Sequence, residues 1–174
     1  MNATVIDETT ATRALTQART TLEEAVFRLD QSTTVLNDLI VNIRPSGLLT
    51  VDEMAEALDR DRNYVDTVWS NSGSTVKGAQ TRVKVEGDAV AARAAFESLK
   101  TAAGVKARAL REVGVARAER NRVVALVYGS KLLGPVRVIA DVAGIDRNHV
   151  LRIARKAGIG PVHRTNAKNQ YSAN

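Results

Sequence analysis

The sequence predicts an all-α protein, and three observations favour this fold class. Aromatic residues make up only 3% of the 174 residues and apolar residues 44%, so the core is expected to consist of small and branched aliphatic side chains, as in packed helices. Aliphatic residues recur every seven residues near the amino terminus. Two later segments each show the apolar spacing of two short helices around a tight turn, and a long Ala/Arg-rich helix is expected between them.

The first element, residues 1–44, is predicted to be one long amphipathic helix. Its apolar positions form the a/d seam of a coiled coil from about residue 10 to residue 43. The seam consists of Leu15, Ala18, Leu22, Ala25, Leu29, Leu36, Leu39 and Ile43, with Ser32 as its polar member. Pro45 and Gly47 are expected to end the helix.

A seam of this kind requires a partner helix. The partner is either the same helix of a second chain, which would give a homodimer, or the helix predicted for residues 88–128, folded back within the same chain. The residues themselves do not decide between these alternatives. A homodimer through the amino-terminal helix is our expectation at this stage.

The second element, residues 45–87, is predicted to be an acidic helical unit followed by a polar loop. Residues 48–70 carry six Asp/Glu and two Lys/Arg. Residues 71–87 are rich in small and polar side chains, and residues 82–86 alternate like a short strand. This stretch is therefore expected to be a linker or a short wing.

An Ala-rich helix is expected next. Asp88 is a suitable N-cap residue, residues 88–115 form the connecting part, and the helical pattern continues to Gly129, which is expected to close it. Gly104 and Gly114 each cost about 1 kcal/mol in a helix interior, so a break or kink is predicted at one of them.

Charge is sorted along the chain. Residues 1–99 carry ten Lys/Arg and fifteen Asp/Glu, a net charge of −5, whereas residues 100–174 carry fifteen and four, a net charge of +11. A basic half of this size favours a polyanionic partner. Solubility alone would not require the two signs to be separated, and the acidic half is expected to bind protein or to assist assembly.

Residues 134–158 contain the most informative motif. Gly134 and Pro135 suit a turn and the start of a helix. Gly144 supplies the backbone freedom for a tight turn, and Asp146 is an N-cap candidate for a second helix. The apolar residues expected to face inward are Ile139, Val142, Ala143, Val150, Ile153 and Ala154.

These residues resemble the helix-turn-helix pattern of DNA-binding proteins. Counting from Val136, alanine stands at the fifth position, glycine at the ninth, and aliphatic residues at the fourth, tenth, fifteenth and eighteenth. The resemblance implies that residues 116–160 form a trihelical unit whose last helix enters the major groove of DNA. The first helix of that unit is expected to contribute Val123, Val124, Leu126 and Val127 to its core, and residues 161–174 are expected to be a basic tail.

The resemblance also implies which residues contact DNA. Arg147, Asn148 and Arg152 are expected to contact bases, since arginine pairs with guanine and asparagine with adenine. Leu151 is expected to meet a thymine methyl group, with His149 close by. Phosphate contacts are expected from Lys131, Arg137, Arg155, Lys156 and the tail residue Arg164.

A second copy of the motif lies 85 residues earlier, where residues 50–70 align without a gap on residues 135–155. Both copies contain Asp-Arg-Asn, so the same local fold is expected. Asp59 replaces the turn glycine and Arg60 replaces an aliphatic residue; aspartate tolerates the left-handed conformation, so the turn is expected to survive above a poorer core. The secondary candidates for DNA contact are Arg62, Asn63 and Thr67.

Other classes of function are not favoured. The chain contains no cysteine, which excludes thiolate metal sites and cysteine nucleophiles and makes the cytoplasm the expected location. Its two histidines lack metal-ligand spacing, its glycines do not form a phosphate-binding loop, and no run of eighteen apolar residues occurs. No metal, cofactor, enzymatic activity or membrane span is therefore expected.

These observations predict a protein that binds double-stranded DNA and regulates transcription or phage lysogeny. Arg outnumbers Lys eighteen to seven, a composition typical of a high-GC source such as an actinobacterium or its phage. Two alternative interpretations stay open. In the first, the protein is a monomer whose two helix-turn-helix units bind one asymmetric DNA site. In the second, it is a scaffold of coiled-coil and helical units that binds another protein, with an incidental basic face.

Overall fold

The computed structural model describes residues 7–73 and 88–160, and the protein is all-α over these residues. This confirms the predicted fold class and the long amino-terminal helix. The residues described contain six helices and no strand: α1 (Glu8–Ser46), α2 (Val51–Leu58), α3 (Arg62–Asn71), α4 (Ala89–Ser130), α5 (Val136–Ala143) and α6 (Arg147–Lys156). The possible wing at residues 82–86 lies outside the described residues, as does the tail with Arg164.

The chain divides into two compact units. The described part of the first unit comprises residues 7–23 and 115–160, and that of the second comprises residues 24–73 and 88–114. Helices α1 and α4 are long enough to contribute to both units, whereas α5–α6 belongs to the first and α2–α3 to the second.

Helix α1 extends beyond its predicted end. Asp7 starts the helix by accepting a hydrogen bond from the Thr10 amide at 2.7 Å, and Pro45 is contained in the last turn. Proline cannot donate a backbone hydrogen bond to the Val41 carbonyl, but it is tolerated in this last turn, where the Ser46 hydroxyl donates to the Ile43 carbonyl at 2.6 Å. Gly47, in the left-handed region with φ 68°, then redirects the chain.

Helix α4 is continuous through Gly104 and Gly114, so neither glycine breaks the helix. The cost of each glycine is outweighed locally by the Ala, Leu and Arg residues around it, which are good helix formers. Asp88 caps the helix by accepting from the Ala91 amide at 2.9 Å, as expected. The helix closes at Ser130, one residue beyond the predicted Gly129.

The seam of α1 is covered by α4 within the same chain. In the first unit, Leu15 and Ala18 are buried in one cluster with Val124 and Tyr128. In the second unit, Leu36 is buried in another cluster with Leu99. Intramolecular packing, the second of the two alternatives above, therefore provides the partner helix for these buried side chains.

Candidate nucleic-acid interface

Helices α5 and α6 are joined by a turn whose geometry follows from its sequence. Gly144 has φ 64° and ψ 37°, and its amide donates to the carbonyls of Ala140 and Asp141. Asp146 then begins α6, because its carboxylate accepts from the His149 amide at 2.8 Å. A side chain at residue 144 would meet another obstacle, since an added Cβ would lie 2.9 Å from Arg19 Nε of α1.

One side of this helix pair is anchored in the core of the first unit. Five of the six residues predicted to face inward are buried: Ile139, Ala143, Val150, Ile153 and Ala154. Val142 is partly buried against the same cluster. The predicted core is wrong at Leu126, which is 51% exposed, while its neighbours Ala125 and Tyr128 are buried.

The core of the first unit also contains residues of α1, a helix that the predicted trihelical unit did not include. Ala11, Leu15 and Ala18 of α1 are buried in the same cluster as the residues of α4, α5 and α6. The core that supports α5 and α6 therefore includes two further helices, α1 and α4. A motif of 25 residues carries no information about a helix more than 100 residues earlier in the chain.

The opposite side of the pair carries the predicted DNA contacts. Within the described residues, the exposed ones are Lys131, Arg137, Arg147, Asn148, Arg152, Arg155 and Lys156. His149 and Leu151 are half-buried, and Leu151 packs against the core cluster. Leu151 is therefore less accessible to a thymine methyl group than its predicted role requires.

These cations are nearly free of competing carboxylates. In the part of the chain that the structure describes, Arg147, Arg152, Arg155, Lys156 and Lys131 form no ion pair. Arg137 Nε lies 3.8 Å from Asp141 Oδ2, but both side chains are more than 70% exposed, and such a pair contributes little. The surface is therefore available to an external anion.

Three of the predicted contacts meet in one cleft. Lys131, Arg137 and Arg147 line a cavity of about 460 Å³ together with Tyr128 and Pro135. Lys131 directly follows the last residue of α4 and adopts a left-handed conformation with φ 60°. The expected phosphate contacts Lys131 and Arg137 thus border the same space as Arg147, whereas Lys156 lines a separate groove with Arg122.

Two arginines of α4, the exposed Arg117 and the buried Arg120, lie near His149 and were not predicted as part of the site. Burial lowers the pKa of His149, and the guanidinium groups of Arg152, Arg120 and Arg117 lower it further, against the opposite effect of Asp146. These groups therefore lie close to His149. The i, i+3 spacing of Arg117 and Arg120, which places both on one side of α4, is the sequence signal for this pair.

Arg120 is unusual because it is a buried cation that forms no ion pair with any carboxylate of residues 7–73 and 88–160. Arg120 is only 8% exposed. Nη2 donates to Asn121 Oδ1 at 3.0 Å, and Nε has no hydrogen-bond acceptor. Burial, and then the neighbouring Arg117, lower the pKa of this guanidinium.

The α2–α3 pair repeats the backbone of α5–α6. Adding 85 to the bounds of α2 and α3 gives the bounds of α5 and α6. Asp61 caps α3 by accepting from the Tyr64 amide at 2.9 Å, as Asp146 caps α6. Asp59 takes the left-handed conformation with φ 51° and ψ 49°, so the expectation that the turn survives without glycine is confirmed.

The two pairs differ in what neutralises their cations. Arg62 occupies the position equivalent to Arg147, but its Nη1 lies 3.6 Å from Asp52 Oδ1, where the other pair has Arg137. Asn63 and Thr67 are exposed. Asp66 binds Arg44 Nη2 at 2.8 Å, and the Arg44 guanidinium lies 5.0 Å from the centre of the Trp69 ring. Trp69 is half-buried and packs against a cation of its own chain.

Comparison of the chain with family models, with curated proteins and with solved structures gave no match. Across residues 7–73 and 88–160, no helix is long and apolar enough to cross a membrane. The same residues contain no cluster of three or more His, Cys, Asp or Glu with metal-binding geometry.

Proposed function

We propose that this protein binds double-stranded DNA sequence-selectively and that α6 is the helix that enters the major groove. The observation that supports this most strongly is the two-sidedness of α6. Val150, Ile153 and Ala154 are buried, while the arginines on its other side are exposed and unpaired. A major groove about 12 Å wide admits a helix presented in this way.

In this proposal the exposed residues have two roles. Arg147, Asn148 and Arg152 contact base edges, because their side chains match the hydrogen-bonding patterns of guanine and adenine. Lys131, Arg137, Arg155 and Lys156 contact phosphates and fix the register of α6 on the duplex. The protein is then a binding protein, not an enzyme, and its biological role is regulation of transcription or of phage lysogeny.

The acidic α2–α3 pair is proposed not to contact DNA. It has the same backbone as α5–α6, but Asp52 lies beside Arg62 and the pair as a whole carries excess negative charge. Phosphate neutralisation supplies much of the affinity of nucleic-acid binding. A protein contact is the better assignment for this pair.

The test begins with selection from a random duplex library using the full chain. The recovered duplex is then used in anisotropy titrations of the triple variant Arg147→Ala, Asn148→Ala, Arg152→Ala. We expect the preference for the selected duplex over a scrambled one to fall at least tenfold, since each lost bidentate base contact is worth about 1–3 kcal/mol. The spacing of half-sites, if the selected sequence is palindromic, would report a dimer.

The repeat provides a matched control. Arg62→Ala, Asn63→Ala, Thr67→Ala changes the three equivalent positions of the acidic pair and is expected to leave DNA affinity unchanged. If the α6 triple variant is folded yet keeps its selectivity, or if no sequence is enriched, the proposed function is wrong. An equal loss in the control triple would show that both pairs contact DNA.

A further inference from the structure

A cleft in the second unit lies between the α2–α3 turn and α4. Its volume is about 650 Å³, which falls within the range of about 300–1,000 Å³ that is typical of small-molecule sites. Every described residue that lines it belongs to residues 36–111, so the described lining lies within one unit. None of the proposed DNA contacts lines it.

The floor of the cleft is apolar. Leu58, Phe96, Ala103 and Leu110 line it. Leu110 remains 56% exposed although it lies on a helix face that borders the cleft. A ligand with an apolar body would remove this surface from water, which is the usual source of affinity in such sites.

The rim of the cleft is predominantly cationic. Arg60, Lys100, Lys106 and Arg111 border it, against the two carboxylates Glu56 and Asp59. Within the described residues none of these four cations forms an ion pair. Their positive charge is therefore available to a ligand.

Tyr64 holds two of these cations in place. The Lys106 ammonium donates to the Tyr64 hydroxyl at 3.2 Å and lies 5.6 Å from the centre of the ring. The Arg60 guanidinium lies 5.9 Å from the same ring centre. Preorganised cations lose less conformational entropy when a ligand binds. The Arg60 position, which the helix-turn-helix resemblance assigns to an aliphatic core residue, thus contributes a cation to the rim.

Gly104 accounts for part of the open space. It lines the cleft from the middle of α4, and a Cβ added there would meet no atom within 4 Å. Packing against another element therefore does not require glycine at this position. Glycine is unfavourable inside a helix, and here the absence of a side chain keeps the wall of the cleft open.

We propose that this cleft binds a small amphipathic organic anion, such as an aromatic or aliphatic carboxylate or sulfonate. The apolar body would lie on the floor formed by Leu58, Phe96 and Leu110, and the anionic group would face Lys100 and Arg111 at the rim. A cation or a neutral molecule of the same size would lack the electrostatic attraction. This inference does not depend on DNA binding.

The test uses the full chain and the fluorescent sulfonate 8-anilinonaphthalene-1-sulfonate as the probe. Saturable binding of one probe per chain is expected, with displacement by octanoate at concentrations at which octylamine has no effect. Equal displacement by octylamine would overturn the anionic assignment, and absence of saturable binding would overturn the site.

Two variants locate the probe. Gly104→Leu fills the wall of the cleft and improves the helix, so the protein is expected to remain folded while the dissociation constant rises at least tenfold. The matched control is Gly114→Leu on the same helix, where an added Cβ also meets nothing within 4 Å but which does not line the cleft. This control is expected to bind the probe like the wild type.

Charge reversal supplies an independent variant. Lys100 and Arg111 are exposed, so Lys100→Glu, Arg111→Glu is expected to preserve the fold, checked by circular dichroism, and to weaken probe binding at least tenfold. Unchanged binding in both this variant and folded Gly104→Leu would place the probe elsewhere and overturn the proposal.

Discussion

At the scale of the residue, Arg120 is a buried cation for which the described residues supply no carboxylate partner. A buried guanidinium loses hydration, and here only the Asn121 side chain compensates for part of that loss. Its neighbours Arg117 and His149 add a like charge and a polar ring in place of a carboxylate. An anion approaching this surface would supply the missing counter-charge.

We therefore expect Arg120→Met to raise the free energy of unfolding by about 1 kcal/mol, because an apolar side chain of similar length avoids the desolvation penalty. Urea denaturation measures this change. The matched control is Arg122→Met, whose parent is exposed and paired with Glu119 at 2.7 Å; its effect should stay within about 0.5 kcal/mol. A loss of stability in Arg120→Met would show that the guanidinium is a net stabilising group.

His149 makes stability depend on pH. Burial and the nearby arginines lower its pKa below the ordinary value of 6.5 in the folded protein, so the unfolded chain takes up a proton at this residue more readily. The contribution of this group to stability is present above pH 6.5 and is lost as the pH falls through that value.

Urea denaturation at about pH 7.5 and about pH 5.5 tests this sign. The wild type should lose more stability over this interval than His149→Gln, in which the titrating group is absent. An equal or larger loss in the variant would contradict the assigned direction of the pKa change.

At the scale of elements, two helix pairs share one backbone but close their turns with different residues. Gly144 adopts φ 64° without steric cost, whereas Asp59 adopts φ 51° with a side chain. The left-handed conformation costs an L-residue roughly 1–2 kcal/mol. Replacing Gly144 by a larger residue is therefore expected to lower the stability of the protein, whereas replacing Asp59 by glycine is expected to raise it.

Gly144→Ala should destabilise the protein by about 1–2 kcal/mol because the added Cβ incurs the left-handed penalty, whereas the exposed end of the Arg19 side chain can move away from it. Asp59→Gly should instead stabilise it by about 0.5 kcal/mol. Glycine removes the left-handed penalty, and the greater conformational entropy of glycine in the unfolded chain offsets part of this gain. Thermal denaturation of both variants provides the measurement. Changes of the same sign in the two turns would refute this account.

At the scale of the whole molecule, the excess of positive charge in residues 100–174 should make the affinity for DNA depend on salt concentration. Each phosphate contact contributes about −0.9 to the slope of log K against log salt concentration. The double variant Lys131→Ala, Arg137→Ala should therefore make the slope for DNA binding shallower by about 2. The control Arg62→Ala should leave it unchanged, because that arginine lies beside Asp52 in the acidic pair.

An unchanged slope in the double variant would exclude Lys131 and Arg137 as phosphate contacts while leaving base recognition by Arg147 untested. The salt titration and the selectivity measurement thus examine different residues of the same surface.

The short helix pairs were largely predictable from the chain alone. Their caps and turns are local features: Asp61 and Asp146 accept from amides three residues ahead, and Gly144 meets a backbone requirement within its own turn. The exposure of Arg147 and Arg152 followed from the 3.6-residue period once the buried side of α6 was identified. All these features are determined by residues that lie within a few positions of one another in the sequence.

Local patterns failed where the environment of a residue depends on distant segments. Leu126 continued an apolar run yet is exposed, and Arg120 is charged yet is buried. Both outcomes depend on how α1 and α6 cover particular faces of α4, which the composition of α4 does not encode. The cleft beside Gly104 was unpredictable for the same reason, since its walls come from separate helices.

The sequence by itself determined that this protein is helical, where its short helices begin and turn, and that its basic and acidic halves are separate, because each depends on local backbone preference or on a simple count of charges. Only the tertiary structure decided that the α1 seam packs against α4 of the same chain. A heptad pattern specifies an apolar stripe but not the helix that covers it, and that choice depends on which packing buries the most surface across the entire chain.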